Sequence, residues 1–411
     1  MKEVLKKIKP SKEERKQFEE VVNTFLSELN SNLKDAKGIL GGSGAKDTWL
    51  SGNHDVDLFV QFDKTKYSDE SHLISDHLEK TLKKVFPTFK IEKLHGSRDY
   101  FQLYYKKLNF EVVPIIKINK SEDALNITDI SPLHAIWVNK NAQNLKDEIR
   151  LAKQFCRANK LYGAESHISG FSGYVLEILI TYYGSFEKLL KASLKWKDKE
   201  VIDPEKYYKN QHLALFNLNN SKLQSPIIVV DPVDKERNAA AALSKEKMKL
   251  FQKVAKQYLN NPSEKLFVKE EISKEKLMKE KGHLMFLNVV SVKGKHDVVG
   301  VKLLKAFEFL KDGLSAFKVK KCGWDWDGED KAEFYFVLKD NKIPEFAVRN
   351  GPPLKLAEHV KHFKKVNKNT FIKDNKLFAK IKVEHPLLDD FVKDLLSQKY
   401  LKERIKKVKV S

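Results

Sequence analysis

The stretch that decides the fold runs Gly42-Ser43-Gly44-Ala45-Lys46-Asp47-Thr48-Trp49-Leu50-Ser51-Gly52-Asn53-His54-Asp55-Val56-Asp57-Leu58-Phe59. It reads as a glycine turn, a helical piece and then an acidic strand. From Asp55 onward Val56, Leu58, Val60 and Phe62 alternate with Asp55, Asp57 and Gln61, the period-two pattern of a half-buried strand. Side chains at i and i+2 leave a strand on the same side, so Asp55 and Asp57 project together and can share divalent cations. Two carboxylates make a poor cage. A third is expected from a neighbouring strand, and Glu111 in Asn109-Phe110-Glu111-Val112-Val113-Pro114 sits in such a strand. Three converging carboxylates suit two Mg²⁺ ions, one activating a 3′ hydroxyl nucleophile and one neutralising a triphosphate as pyrophosphate leaves. The turn before them offers backbone N–H groups and the Ser43 hydroxyl to phosphate oxygens. An isolated D-x-D more often faces water on an edge strand; a Gly-Ser turn about a dozen residues upstream and an acidic strand downstream make the pattern more specific.

Working outward, Ser11 and Glu14 form an S-x-x-E capping box after Pro10, and Phe18, Val21, Val22, Phe25, Leu29 and Leu33 recur at helical spacing. A long amphipathic helix is therefore expected to open the fold. Leu73, Ile74, Leu78, Leu82 and Val85 predict a second helix, with strands near 89–91, 100–105 and 110–116. Together these make a small α/β head over residues 1–125. From Leu145 to Leu190 the pattern turns helical, and the run from Val175 to Phe186 is apolar enough to be largely buried. With a strand at 226–230 this gives a helical neck over 126–262, closed by a change of composition at Asn261-Pro262-Ser263. Beyond it, strands at 284–292 and 333–338, a helix at 302–310, a hairpin at 371–383 turning at Asp374-Asn375 and a helix from Pro386 predict an α+β body and tail over 263–411. The expected fold class is thus α+β and multi-domain: a nucleotide-handling α/β head, a helical neck, and an α+β C-terminal body and tail. The run Trp324-Asp325-Trp326-Asp327 reads as a strand-end hydrophobic anchor rather than a stacking platform.

The 77 Lys and Arg against 56 Asp and Glu leave a net charge of +21. A surface of that sign attracts polyanions, with nucleic acid first among them, although Lys on solvated faces alone can produce such a total. Arg is rare among these basic residues, so each Arg marks a place where a planar donor fork could matter. Apolar residues make up 41% of the chain, ample for folded cores beside 32% charge. Cys156 and Cys322 are far apart, fit no metal or redox spacing and follow no secretory signal, so a reduced, cytoplasmic setting is expected, with Cys156 a core thiol. No apolar run approaches the ~18–20 residues that span a bilayer, and no membrane partner is expected.

The acidic motif, taken with Asp47-Thr48-Trp49-Leu50, Val112-Val113-Pro114, Tyr162-Gly163-Ala164-Glu165, Gly170-Phe171-Ser172-Gly173-Tyr174, Tyr183-Gly184-Ser185-Phe186 and Val230-Asp231-Pro232-Val233-Asp234, resembles the archaeal class I CCA-adding enzymes in wording and order, with a weaker match at Arg349-Asn350-Gly351-Pro352. The resemblance implies template-independent addition of CCA to the 3′ end of tRNA from CTP and ATP, in a homodimer whose C-terminal parts hold the tRNA acceptor arm. It makes Asp55, Asp57 and Glu111 the ligands of two Mg²⁺ ions. It makes Ser43, Lys46, His134, Lys153 and Tyr162 contacts to the triphosphate or ribose, and Arg237 the reader of the incoming base. Three positions depart from the family pattern with charge kept: Asp55 stands where Glu is expected, Glu111 where Asp is expected, and Lys46 where Arg is expected. Alternatives left open are a partial (CC- or A-adding) or other RNA terminal nucleotidyltransferase, and a basic RNA-binding protein without turnover.

Overall fold

In the computed structural model, which describes residues 1–218 and 222–411, a short helix α1 (Lys2–Ile8) precedes α2 (Lys12–Asn30). The Ser11 hydroxyl caps α2 by accepting from the Glu14 N–H. The Glu14 carboxylate does not close the expected capping box; it accepts from Gly52 N–H and the Ser51 hydroxyl. The cap therefore ties the first long helix to the loop that leads into the acidic strand. α2 ends at Asn30, and Leu33 reaches the core from beyond the helix.

The chain then forms β1 (Ala36–Leu40), α3 (Gly42–Ala45), β2 (Asp55–Phe62), α4 (Lys64–Tyr67), α5 (Ile74–Val85), β3 (Glu92–Leu94), β4 (Tyr100–Tyr105) and β5 (Leu108–Ile116). These strands make one sheet in the order β1-β2-β5-β4-β3, with β2 parallel to β5 and the other pairs antiparallel. β3 starts later than the strand expected at 89–91. Phe89 instead sets its ring against Phe86 and Tyr105, so that apolar stretch plugs the core before the strand begins. Val56, Leu58, Val60 and Phe62 turn to the face covered by α2 and α5, which leaves Asp55 and Asp57 on the other. Phe25 of α2 anchors the covered face: its ring stacks at 4.3 Å on both Phe86 and Phe110 and meets Tyr105 edge-on.

The following segment packs α6 (Ser131–Asn141), α7 (Lys146–Ala158), α8 (Gly173–Tyr183), α9 (Phe186–Ser193), β6 (Glu200–Ile202), α10 (Gln211–Asn217), β7 (Ile227–Asp231), β8 (Asp234–Asn238) and α11 (Lys245–Asn260). Phe155, Phe171, Phe186, Trp196, Phe251, Tyr258 and Phe267 fill a second core. Cys156 is buried in it, and burial pushes its thiol far up, as an inert core cysteine requires. Both cores belong to one compact unit, Met1–Glu270.

The second unit, Glu271–Ser411, contains α12 (Lys274–Met278), β9 (His283–Ser291), α13 (His296–Gly313), β10 (Val319–Trp326), β11 (Lys331–Leu338), β12 (Phe346–Pro353), α14 (Ala357–Val366), β13 (Thr370–Lys373), β14 (Lys376–Lys382), α15 (Leu388–Ser397), α16 (Lys399–Lys402) and β15 (Ile405–Val410). Its sheets run β10-β11-β9-β15 and β12-β14-β13. The basic tail forms the edge strand β15, where Lys406, Lys407 and Lys409 discourage pairing with another chain. The 371–383 hairpin turns at Asp374-Asn375, both with positive φ, and Trp324 and Trp326 pack at the rim of this unit's core. Among the described residues no helix is long and apolar enough to cross a membrane. Phe25→Ala removes the ring at the centre of the head's aromatic stack and is expected to cost about 3–5 kcal/mol in denaturant unfolding of the unit that holds it; a loss below about 1 kcal/mol would show that the stack is not the anchor.

Candidate active site

The glycine turn is built around Asp57. Gly41 N–H donates to the Asp57 carbonyl at 2.7 Å, which brings the turn over the acidic strand. Gly42 has φ +52°, and a Cβ there would lie 1.6 Å from Asp57 Oδ2, so only glycine fits. The Ser43 N–H donates to the same carboxylate. In the parallel register Asp57 lies opposite Glu111 and Asp55 opposite Asn109. Gln102 Nε2 donates to Glu111 at 3.2 Å, and Asn109 Nδ2 to Asp55 at 3.4 Å.

Burial raises the Asp57 carboxyl, and Asp55 raises it further, against the pull of Lys46 and Lys153. Glu111 is raised by burial and by the charges of Asp57 and Asp55. Among the described residues no three His, Cys, Asp or Glu side chains converge tightly enough to enclose an ion. What suits a cation is the donor chemistry: like charges are gathered on adjacent strands, and a divalent ion would relieve a repulsion that neighbouring amides offset only in part.

The loop from Ala45 to Trp49 has no repeating ladder of its own, so its carbonyls need partners elsewhere. The neck provides them for five residues in succession. Asn139 Nδ2 of α6 donates to Ala45 O at 2.9 Å, Lys146 Nζ to Lys46 O at 2.6 Å, Arg150 Nη2 to Asp47 O at 2.6 Å, Lys153 Nζ to Thr48 O at 3.2 Å, and Arg150 Nε to Trp49 O at 3.0 Å. Lys146, Arg150 and Lys153 stand at i, i+4 and i+7 of α7, one stripe of the helix. The Arg150 side chain is only 1% exposed, and it also binds the carboxylates of Asp47 and Asp147.

Beneath this loop Glu177 of α8 is fully buried. It accepts from Lys46 Nζ at 2.6 Å, Lys153 Nζ at 2.7 Å and the Thr48 hydroxyl at 2.6 Å. Burial alone would raise its carboxyl, but the charges of Lys153 and Lys46 overcome that and hold it well below the usual range. Burial likewise pushes Lys153 toward losing its proton, and Glu177 pulls the other way. Lys153 donates to Thr48 O, Thr48 Oγ1 and Glu177, and so supports the loop from below. Tyr162 lies beside it: a Cβ on Gly173 would meet the Tyr162 hydroxyl at 2.8 Å and Lys153 Cε at 3.4 Å. The Arg157 guanidinium covers the Tyr162 ring at 4.8 Å.

Asp231, at the end of β7, organises the remaining predicted residues. Its carboxylate accepts from Arg237 Nη1 at 2.7 Å and Tyr174 OH at 3.0 Å, and lies 3.3 Å from His134 Nε2. The His134 ring stacks on Tyr174 at 4.0 Å, and burial lowers its pKa. Lys46 Nζ stands 5.5 Å from the centre of the Tyr174 ring and so joins this group to Glu177. The structure therefore places Ser43 in the glycine turn over Asp57, gathers Lys46 and Lys153 on Glu177 with Tyr162 beside Lys153, and sets His134 with Arg237 around Asp231. Gly42, Thr48, Arg150, Tyr174, Glu177 and Asp231 were not singled out for roles from sequence. A carboxylate inside the apolar run Val175–Ile180 was the available signal for Glu177, since a buried charge demands partners.

Known proteins share this fold. The family profile described as "tRNA nucleotidyltransferase, second domain" matches residues 147–268, and that of the "Second Messenger Oligonucleotide or Dinucleotide Synthetase domain" matches 1–151. A cytoplasmic RNA terminal U-transferase shares the fold at a TM-score of 0.50 and 16% identity, over 66% of this chain and 97% of that one. A poly(U) polymerase does so at 0.51 and 15%, with the same coverage. Fold and site together define a nucleotidyltransferase. The CCA-adding enzyme of Methanocaldococcus jannaschii is 30% identical over 97% of this chain and 90% of its own length, and that of Sulfurisphaera tokodaii 30% over 97% and 91%. That of Nanoarchaeum equitans is 42% identical over 61% of this chain and 62% of its own length. The chain belongs to the family of CCA-adding enzymes.

Gly42→Ala tests the turn directly. The added methyl must displace the Asp57 carboxylate, so nucleotide transfer is expected to fall by about 100-fold with little change in melting temperature. Wild-type transfer by the variant would show that the turn does not hold Asp57 in place.

Proposed function

We propose that this protein adds C, C and A in turn to the 3′ end of tRNA, using CTP and ATP, releasing pyrophosphate and needing no nucleic-acid template. The observation that carries this reading is the placing of Asp57 opposite Glu111 on adjacent parallel strands, under a glycine turn that leaves no room for a side chain. Family membership along nearly the whole chain supplies the substrate.

In this reading Asp55, Asp57 and Glu111 hold two Mg²⁺ ions, which when bound would neutralise the triphosphate and activate the 3′ hydroxyl of the RNA. Ser43, Lys46 and the turn's N–H groups take the triphosphate oxygens. His134 and Tyr162 flank the sugar and phosphates, while Lys153 acts from beneath through Thr48 and Glu177. Burial favours His134 as a neutral ring, able to donate from one nitrogen and accept at the other. Arg237 directs Nη1 to Asp231 and His134 and is 33% exposed; among the described residues the rest of its fork makes no hydrogen bond, which leaves it to meet a base edge.

We further divide the chain into a catalytic head over 1–125, a neck over 126–262 that completes the nucleotide pocket, and a tRNA-binding body and tail over 263–411. A homodimer, carried by the family resemblance, and a cytoplasmic setting, carried by two free cysteines with no metal or redox spacing, complete the proposal. The Asp at 55 and Glu at 111 exchange carboxylate lengths relative to the family pattern while keeping charge, which preserves the donor set.

Two experiments test the assignment. Asp57→Asn keeps the volume but removes the charge, and incorporation of both CTP and ATP is expected to drop at least about 100-fold with tRNA binding retained. Near-normal rates for either nucleotide would refute the metal assignment. Arg237→Lys keeps the charge but loses the fork, so the ratio of kcat/KM for CTP and ATP over UTP and GTP should fall by about tenfold or more. An equal drop for all four triphosphates would make Arg237 a phosphate clamp or a structural partner of Asp231.

A further inference from the structure

The interior of the site holds a group that the reading above names only as a support for Lys153. Among the described residues Glu177 makes no hydrogen bond to the acidic strands, yet it joins three polar partners across the junction of head and neck. Lys46 and Thr48 come from the loop, Lys153 comes from α7, and Glu177 itself projects from α8. The Glu177 carboxylate is fully buried, and the side chains of Lys46 and Lys153 are 10% and 4% exposed. Two ammonium groups on one carboxylate leave an excess positive charge directly under the loop, in a place where water does not screen it.

We propose that Glu177 is a positioning residue for nucleotidyl transfer: by accepting from Lys46, Lys153 and Thr48 at once, it fixes both ammonium groups under the loop that follows the glycine turn as the cationic floor for the triphosphate. This rests on the function proposed above and names a part of its machinery. A floor of two lysines with no carboxylate between them would repel itself and shed a proton; a carboxylate on each lysine would cancel the charge the triphosphate needs. One carboxylate shared by two lysines avoids both outcomes. Thr48 adds direction, because its hydroxyl donates to Glu177 while accepting from Lys153, which locks the loop's side chain to the floor. The groups facing Lys153 are Lys46 and Thr48 from the loop, Glu177 from α8, Tyr162 from the turn after α7, and Arg150 and Arg157 from α7 itself; the charge of Asp57, from the acidic strand, also acts on it. Among these, Glu177 is the one anion bonded to it.

The test is Glu177→Gln in the full-length enzyme, assayed by single-nucleotide incorporation into tRNA across pH 6 to 10, roughly the range in which a buried lysine could lose its proton. With the carboxylate gone, the crowded lysines hold their protons less tightly, so the variant is expected to lose activity as pH rises through a range where the wild type is flat. At neutral pH its kcat/KM for both CTP and ATP should be lower by at least about tenfold, recovering in part as pH falls. A purely structural role would lower activity equally at every pH. Glu177→Asp keeps the charge but is too short to span both lysines; it should lower kcat/KM while leaving the pH profile in the wild-type position, and it serves the test if the glutamine variant does not fold. Glu177→Gln with wild-type kcat/KM, or with a reduced value and an unmoved pH profile, overturns the proposal. Asp57→Asn, run alongside, separates the two readings: if it abolishes transfer while Glu177→Gln behaves as wild type, only the role of Glu177 fails.

Discussion

Five successive backbone carbonyls, from Ala45 to Trp49, are satisfied by side chains of the neck and not by the domain that carries them. The bonds to Thr48 O and Trp49 O are buried, and a buried carbonyl left without a partner costs roughly 1–3 kcal/mol, so the course of this loop depends on α7 against it. The same loop connects the glycine turn to the acidic strand, and Lys46 and Thr48 lie within it. The course of the loop after the glycine turn is therefore set in part by helices that contribute no carboxylate to the acidic strands.

The arrangement also explains why charges are placed in the interior. Burying an ion is unfavourable unless its partners are fixed and its hydrogen bonds filled. Arg150 meets that condition with two loop carbonyls and two carboxylates, and Glu177 meets it with two lysines and a hydroxyl. Asp231 does the same on the opposite wall, with Tyr174, His134 and Arg237. Lys46, bonded to Glu177 and set against the ring of Tyr174, joins the two walls. Each hub constrains side chains from more than one element, so the cost of burial is offset by a pocket whose cationic groups have little freedom to move.

Much of this was legible in the residues. The alternation of Val56, Leu58, Val60 and Phe62 against Asp55 and Asp57 defines a strand and its acidic face, and the parallel register that sets Asp57 beside Glu111 follows the expectation that a third carboxylate comes from a neighbouring strand. What periodicity could not give is long-range pairing. Glu14 has the spacing of a capping box, but a better donor set at Ser51 and Gly52 arrives from a distant part of the chain. Phe89 belongs to an apolar piece that reads as strand, yet the aromatic cluster around Phe86 and Tyr105 claims it first. Lys153 is expected at the triphosphate or ribose by resemblance; only the fold reveals that Thr48 and Glu177 accept its hydrogen bonds. Local pattern specifies elements and faces, whereas the partners of a charged group depend on which elements meet.

The central claim is that one nucleotide pocket, formed by the head and held by the neck, builds a defined trinucleotide on RNA without a template. The most direct measurement is sequencing the 3′ ends of tRNA transcripts that lack CCA after incubation with the purified protein, Mg²⁺ and all four triphosphates. The account predicts ends extended by C, then CC, then CCA, with extension stopping there. Ends that carry only A, runs of U or mixed nucleotides, or no extension at all, would contradict it.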